Sequence, residues 1–152
     1  MKNSEKKIIT DKLKLGILHT NLLSIKDRYE KINHGGCGTF SYYVSELLDK
    51  YNIENEVVYI EETKTPENSF RCDVKFDHIL IKTKYVFIDS PGFYPLEWAC
   101  LSDFWLNNLK ILPKPKLFEM LKEPRLWNKE FDEDKRNLLA EDLLKIKLAN
   151  EI

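Results

Sequence analysis

Between residues 5 and 32 the apolar positions Leu15, Leu18, Leu22, Ile25, Tyr29 and Ile32 recur in steps of three and four, the spacing that gathers side chains on one flank of an α-helix. The other flank reads as Lys, Asp, Arg and Glu. The stretch therefore predicts one long helix laid against a core, with too few clean heptads for a coiled coil. Gly16 and His19 fall at its surface or boundary. Residues 40–51 repeat the pattern with Phe40, Val44, Leu47, Leu48 and Tyr51, and predict a second helix.

The period then changes. After a turn over residues 52–55, residues 56–61 are β-branched and aromatic enough for a strand. Residues 63–69 are polar and predict an exposed loop, a place for a substrate-facing lid. Residues 75–82 and 85–89 are two strand-like runs separated by Thr83 and Lys84 and closed by Ser90-Pro91-Gly92, which predicts a β-hairpin. With the loop centred between Thr83 and Lys84, Lys82 opposes Tyr85, Leu80 opposes Phe87 and His78 opposes Asp89. The pleat then sets His78, Leu80, Phe87 and Asp89 on one face of the sheet and Ile79, Ile81, Val86 and Ile88 on the other. Thr-Lys is not the Asn-Gly type of dipeptide that a two-residue loop prefers.

Beyond Gly92 the chain reads as helical and aromatic. Residues 93–109 carry Trp98, Phe104 and Trp105, Pro113 and Pro115 mark a break, and residues 116–121 predict a short helix. Asp132, Glu133 and Asp134 supply the acidic start of a last helix that carries Leu139, Leu143 and Ile146. The tryptophans read as core or docking residues.

At 152 residues the chain fits a single domain with a substantial core. A net charge of -1 gives no basic surface for phosphates, so no nucleic-acid partner is expected. No apolar run reaches the roughly 18 residues of a membrane span, and the lysine-rich start leads into an amphipathic pattern instead of a signal-peptide core. These features predict a cytoplasmic protein without a membrane partner. Cys37, Cys72 and Cys100 are odd in number and irregular in spacing, so they form no disulfide framework.

One stretch carries chemistry. His34-Gly35-Gly36-Cys37-Gly38 runs directly into the second predicted helix, which puts Cys37 where a glycine-rich turn becomes a helix. The unpaired N–H groups and positive dipole end there favour a thiolate. Gly35 and Gly36 let the chain bend, and Gly38 keeps a side chain out of a substrate's path. Acyl transfer by cysteine needs a nucleophile, a base and a group that orients the base. Cys37, His78 and Asp89 supply them, with backbone N–H groups around Cys37 as an oxyanion hole.

The runs Gly35-Gly36-Cys37-Gly38, Asp77-His78-Ile79-Leu80-Ile81 and Tyr85-Val86-Phe87-Ile88-Asp89-Ser90-Pro91-Gly92 resemble the papain-like superfamily of cysteine enzymes, in its transglutaminase-like and arylamine-acetyltransferase-like branch. The resemblance covers about residues 33–92. It implies an α+β fold in which the Cys-bearing helix packs on a small antiparallel sheet, His and Asp lie on neighbouring strands, and residues 93–152 form a helical extension of one domain over 1–152. It also implies a thiol hydrolase or acyltransferase with Cys37, His78 and Asp89 as its triad. The substrate would hold an amide or thioester bond, in a peptide, a protein or a small molecule. Papain itself uses a glutamine upstream of its cysteine, and this chain contains no Gln. The oxyanion and substrate side therefore falls to the backbone at Gly36 and Gly38, or to Asn33 or His34. Nothing here calls for a cofactor.

Three rival readings use the same residues. A zinc site would draw on Cys37, Cys72, Cys100, His34 and His78, but no C-x-x-C pair is present and no metal is expected. A non-catalytic binding module on the same fold would use the aromatic C-terminal region to hold a protein partner. His78 and Asp89 would otherwise be a polar cross-strand pair and nothing more.

Overall fold

The computed structural model describes residues 2–29, 36–61, 76–89, 92–96, 109–122 and 133–149. Within them the order is α1 (Asn3–Arg28), α2 (Cys37–Lys50), β1 (Asn55–Glu61), β2 (Phe76–Thr83), β3 (Val86–Asp89), β4 (Gly92–Pro95), β5 (Leu109–Ile111), α3 (Lys114–Leu121) and α4 (Glu133–Leu144). The fold is α+β, and its five described strands make one antiparallel sheet in the order β4-β3-β2-β1-β5.

The helices lie on one face of that sheet. The stripe of α1, Leu15, Leu18, Leu22 and Ile25, packs with Phe40, Val44, Leu47 and Leu48 of α2, with Leu139 and Leu143 of α4, and with Ile81 and Ile88 of the sheet. Residues at helical spacing on three elements thus converge on two strand positions of equal parity, which is how an amphipathic helix and a pleated strand share a core. Toward β5, Val57, Ile79, Leu112, Leu117 and Met120 continue the same layer under α3. Val58, Leu80 and Phe87 form a smaller cluster on the other face, with Tyr94, Leu96 and Leu109 against it.

Polar tethers fix the helices in place. Asp11, 4% exposed, accepts from Lys7 and from the Tyr85 hydroxyl, which joins α1 to the β2–β3 turn. The Tyr29 hydroxyl donates to Asp142 at 2.5 Å and joins α1 to α4. Asn52 takes a positive φ of 59° in the turn after α2, a backbone region that Asn tolerates better than most residues.

Three expectations are corrected. The flank of α1 away from the core is not purely charged: Ile8, Ile9, Leu13, Ile17 and Leu23 are exposed on the helix, with Leu13 at 65%. Residues 92–95 form β4 where a helix was expected from residue 93, because Phe93 and Tyr94 pair with Ile88 and Phe87 across a tight turn. The hairpin register is displaced by two residues, since Ile81 opposes Ile88 and Lys82 opposes Phe87.

The cause of that displacement is Thr83. Its buried hydroxyl accepts from the backbone N–H groups of Tyr85 and Val86 at 3.1 and 3.0 Å and donates to the Val86 carbonyl at 3.0 Å. A threonine closing a turn on its own backbone moves the bend to Lys84 and Tyr85. The displacement is even, so Ile81 and Ile88 still share the helix-facing side while Leu80 and Phe87 share the other. The polar loop at residues 63–69, the lid proposed on it, and Trp98, Phe104 and Trp105 lie outside the described residues.

Candidate active site

Cys37 is the first residue of α2 and is half-buried. Gly36 is the cap and has no side chain to accept from the first-turn N–H groups, and no acidic residue occupies that turn. Gly38, next in the turn, is buried. A helix begun in this way leaves its amino-end donors free of side-chain caps from Gly36 and of carboxylates from its own first turn, which suits a thiolate or an oxyanion. Asn33 and His34 lie outside the described residues, as do Cys72 and Cys100. No group of three His, Cys, Asp or Glu that could hold a metal ion occurs among the described residues.

Cys37 packs against the cluster of Val57, Ile79, Leu112, Leu117 and Met120, on the helix-facing side of the sheet. Two hydroxyls one and two turns further along α2 hold the helix to the sheet. Ser41, fully buried, donates to the Ile79 carbonyl at 3.4 Å, and Ser45 donates to Asn55 Oδ1 at 2.5 Å. Asn55 begins β1 and opposes Thr83, so the carboxyl end of α2 lies at the Thr83 end of β2 and its amino end at the Phe76 end. One helical turn from Ser41 to Cys37 spans about 6 Å, close to two strand residues at about 3.3 Å each. Cys37 therefore lies toward the Phe76 end of β2.

His78 lies in β2 at the position opposite Ile60. Immediately beyond it the β1–β2 register shifts between Ile60 and Glu61, where β2 carries one residue more than β1. Position 78 is still in register, so it alternates with Ile79, and the extra residue is Asp77.

Asp89 ends β3 and is 6% exposed. Its carboxylate accepts from the Gly92 N–H at 3.1 Å, closing the turn between β3 and β4, and from the Tyr94 hydroxyl. Burial, the Asp89 charge and that hydrogen bond push the Tyr94 phenol up to about 12. Since Ile88 packs among the helices, Asp89 shares the parity of Phe87 on the face turned away from α2. The register also makes Asp89 a diagonal neighbour of position 78 instead of its direct opposite. The structure thus turns the amino end of α2 toward the Phe76 end of β2, while the pairing sets position 78, like Asp89, on the face turned away from Cys37.

Sequence reasoning missed Ser41, Ser45 and Tyr94. The first two were visible as small polar residues four and eight positions after Cys37, on the flank that the apolar spacing turns inward. Tyr94 fell in a stretch read as helix. A cleft of about 260 Å³ lined by Thr39, Tyr43, Phe118, Leu121, Arg136 and Asn137 opens between α2, α3 and α4. Thr39 is turned about 200° from Cys37 on the helix, so this cleft lies on the flank of α2 away from the thiol. No family model, no curated protein and no solved structure matches the chain.

Proposed function

We propose that this chain is a thiol-dependent hydrolase or acyltransferase acting on an amide or thioester bond, with Cys37 as nucleophile and His78 as the base, a role that requires the bulged end of β2 to turn the imidazole from the face its pairing gives it to the Cys37 side. The observation that carries the proposal is the position of half-buried Cys37 at the first turn of α2, whose cap Gly36 has no side chain and whose first turn has no carboxylate. In this reading the Cys37 sulfur bonds to the substrate carbonyl carbon and first-turn N–H groups receive the oxygen. The C–N or C–S bond breaks, and the leaving group takes the proton held on the His78 imidazole. Water or another acceptor then releases the acyl group and returns the proton to His78, and the thiolate is restored. Asp89 enters as the anchor of the β3–β4 turn; its engagement with Gly92 and Tyr94 supports that role in place of holding the imidazole.

The test separates the two residues. Iodoacetamide at neutral pH should label Cys37 at least ten times faster than Cys72 or Cys100, a ratio expected of an activated thiolate, and His78→Ala should remove most of that advantage. Lysate treated with wild type should show amide or thioester cleavage or transfer products that Cys37→Ala does not give. Equal labelling of all three cysteines, with identical products from both proteins, overturns the proposal.

A second reading is favoured by one observation, the parity that sets Asp89 on the face away from α2. A papain-like fold that serves as a protein-binding module would need no orienting carboxylate near Cys37. It predicts that His78→Ala and Cys37→Ala both leave binding of a protein partner intact.

A further inference from the structure

Helix α1 carries apolar residues on two opposite flanks. Ile9, Leu13 and Ile17 follow one another at intervals of four, and Leu23 falls on the same side, about half a turn around the helix from the buried stripe of Leu15, Leu18, Leu22 and Ile25. Ile8 borders the row, and these five side chains are between 41% and 65% exposed. Single exposed aliphatic residues are ordinary on a folded surface, but a row in line on one helix marks a surface that meets something less polar than water. Gly16 lies within the row, and a side-chain carbon placed on it would find no atom within 4 Å. The lysines supply a second observation. Between residues 2 and 17 stand Lys2, Lys6, Lys7, Lys12 and Lys14 against Glu5 and Asp11, and Asp11 is buried and held by Lys7 and Tyr85. Residues 2–28 carry seven Lys and Arg and three Asp and Glu, a net charge of +4, whereas the whole chain carries -1, which leaves the remainder at -5.

We propose that α1 docks by this outer flank on an anionic lipid surface, lying in the plane of the membrane with Ile9, Leu13, Ile17 and Leu23 turned into it. No described helix is long and apolar enough to cross a membrane, and an interfacial helix has no need to cross. It sinks one apolar side below the headgroups while basic residues beside that side meet the lipid anions. Lys2, Lys6 and Lys12 stand beside the row or at its end, and their flexible stems let the ammonium groups reach the headgroups as the row goes down. Glu5 and Asp27 are the acids on the same side, one at each end of the helix. The division of charge also orients the protein, since an anionic surface draws α1 and repels the acidic remainder. A second copy of the chain is the weaker occupant. Five half-exposed aliphatic side chains fall well short of the roughly 800 Å² that each partner buries in a stable interface, and a paired copy would bring the same lysines with it. The inference does not depend on the function proposed above.

The experiment sediments the full chain with vesicles of phosphatidylcholine alone and with vesicles in which a third of the lipid is phosphatidylserine, at low and at high salt. Wild type should partition to the phosphatidylserine vesicles at least about ten-fold more strongly than to the neutral ones, and salt should reduce the difference. Leu13→Ala should weaken that binding at least about five-fold and keep a Tm near that of wild type. Replacing Lys6 and Lys12 together by Gln should weaken binding to the anionic vesicles and leave the neutral ones as in wild type. Gly16→Leu should strengthen binding, because the added side chain extends the row and meets nothing within the fold. Equal partitioning of wild type to both kinds of vesicle overturns the proposal, and so does unchanged partitioning in both Leu13→Ala and Gly16→Leu. A dimer found without lipid by light scattering, and disrupted by Gly16→Leu, also overturns it and gives the row to a second copy of the chain.

Discussion

The phenol of Tyr94 donates a hydrogen bond to the carboxylate of Asp89, two strand-end residues that share the sheet face turned away from α2. Asp89 at the same time accepts from the Gly92 N–H. A nearly buried carboxylate is tolerable because donors satisfy it. Asp89→Asn keeps an oxygen for Gly92 but removes the charge that helps hold the Tyr94 proton. The Tyr94 titration should fall from about 12 toward the ordinary tyrosine value, without reaching it because burial, the larger cause, remains. Asp89→Ala leaves both donors unmatched and should cost on the order of 3 kcal/mol. Absorbance at alkaline pH and urea unfolding check the two outcomes.

The same physics sets the high-pH limit of the fold. Burial, then the hydrogen bond and charge of Asp142, push the Tyr29 phenol up to about 12, and Tyr94 is raised to a similar value. Both groups keep their protons in the folded chain at pH values where the unfolded chain, with tyrosines near 10, has lost them. Their contribution is complete below pH 10 and is lost as pH rises from 10 through 12. Stability followed by urea unfolding should be flat with respect to these two groups below pH 10 and decline above it. Replacing either by Phe should make the decline shallower.

Much of the helical layer is legible in the sequence because its signal is local. Leu15, Leu18, Leu22 and Ile25 announce the buried flank of α1 by spacing alone, and Phe40 to Tyr51 do the same for α2. Parity along β2 and β3 is legible for the same reason, since alternation needs no knowledge of a partner. The register is not. It depends on a threonine hydroxyl choosing its own turn, a non-local outcome at short range that hydrophobicity does not encode. Strand β4 is hidden too, because Phe93 and Tyr94 take their conformation from pairing with β3. The site inherits both gaps: Cys37 is found where its glycines place it, while the expected meeting of His78 with Asp89 rested on the register.

That role of Thr83 gives a direct test. Thr83→Val keeps the volume and removes a hydroxyl that accepts twice and donates once. Two backbone N–H groups and a carbonyl lose their partner, so the variant should be destabilised by about 2 kcal/mol. Hydrogen exchange of the Tyr85 and Val86 amides should accelerate in the variant. Protection equal to wild type at both amides would show that the turn does not depend on Thr83.

The two flanks of α1 allow a matched comparison within one helix. Leu18 is completely buried among α1, α2 and the sheet, whereas Leu13, five residues earlier, is 65% exposed. Leu→Ala at a buried site removes transfer energy and leaves a cavity, with a cost of about 2–5 kcal/mol. The same change at an exposed helical site removes little contact and substitutes a residue of slightly better helix propensity, so its effect should stay within about 0.5 kcal/mol. Urea unfolding of Leu18→Ala and Leu13→Ala should differ by at least about 2 kcal/mol. Equal losses at the two positions would mean that the outer flank of α1 is covered in solution, and a fall in oligomeric size for Leu13→Ala would then identify the cover as a second copy of the chain.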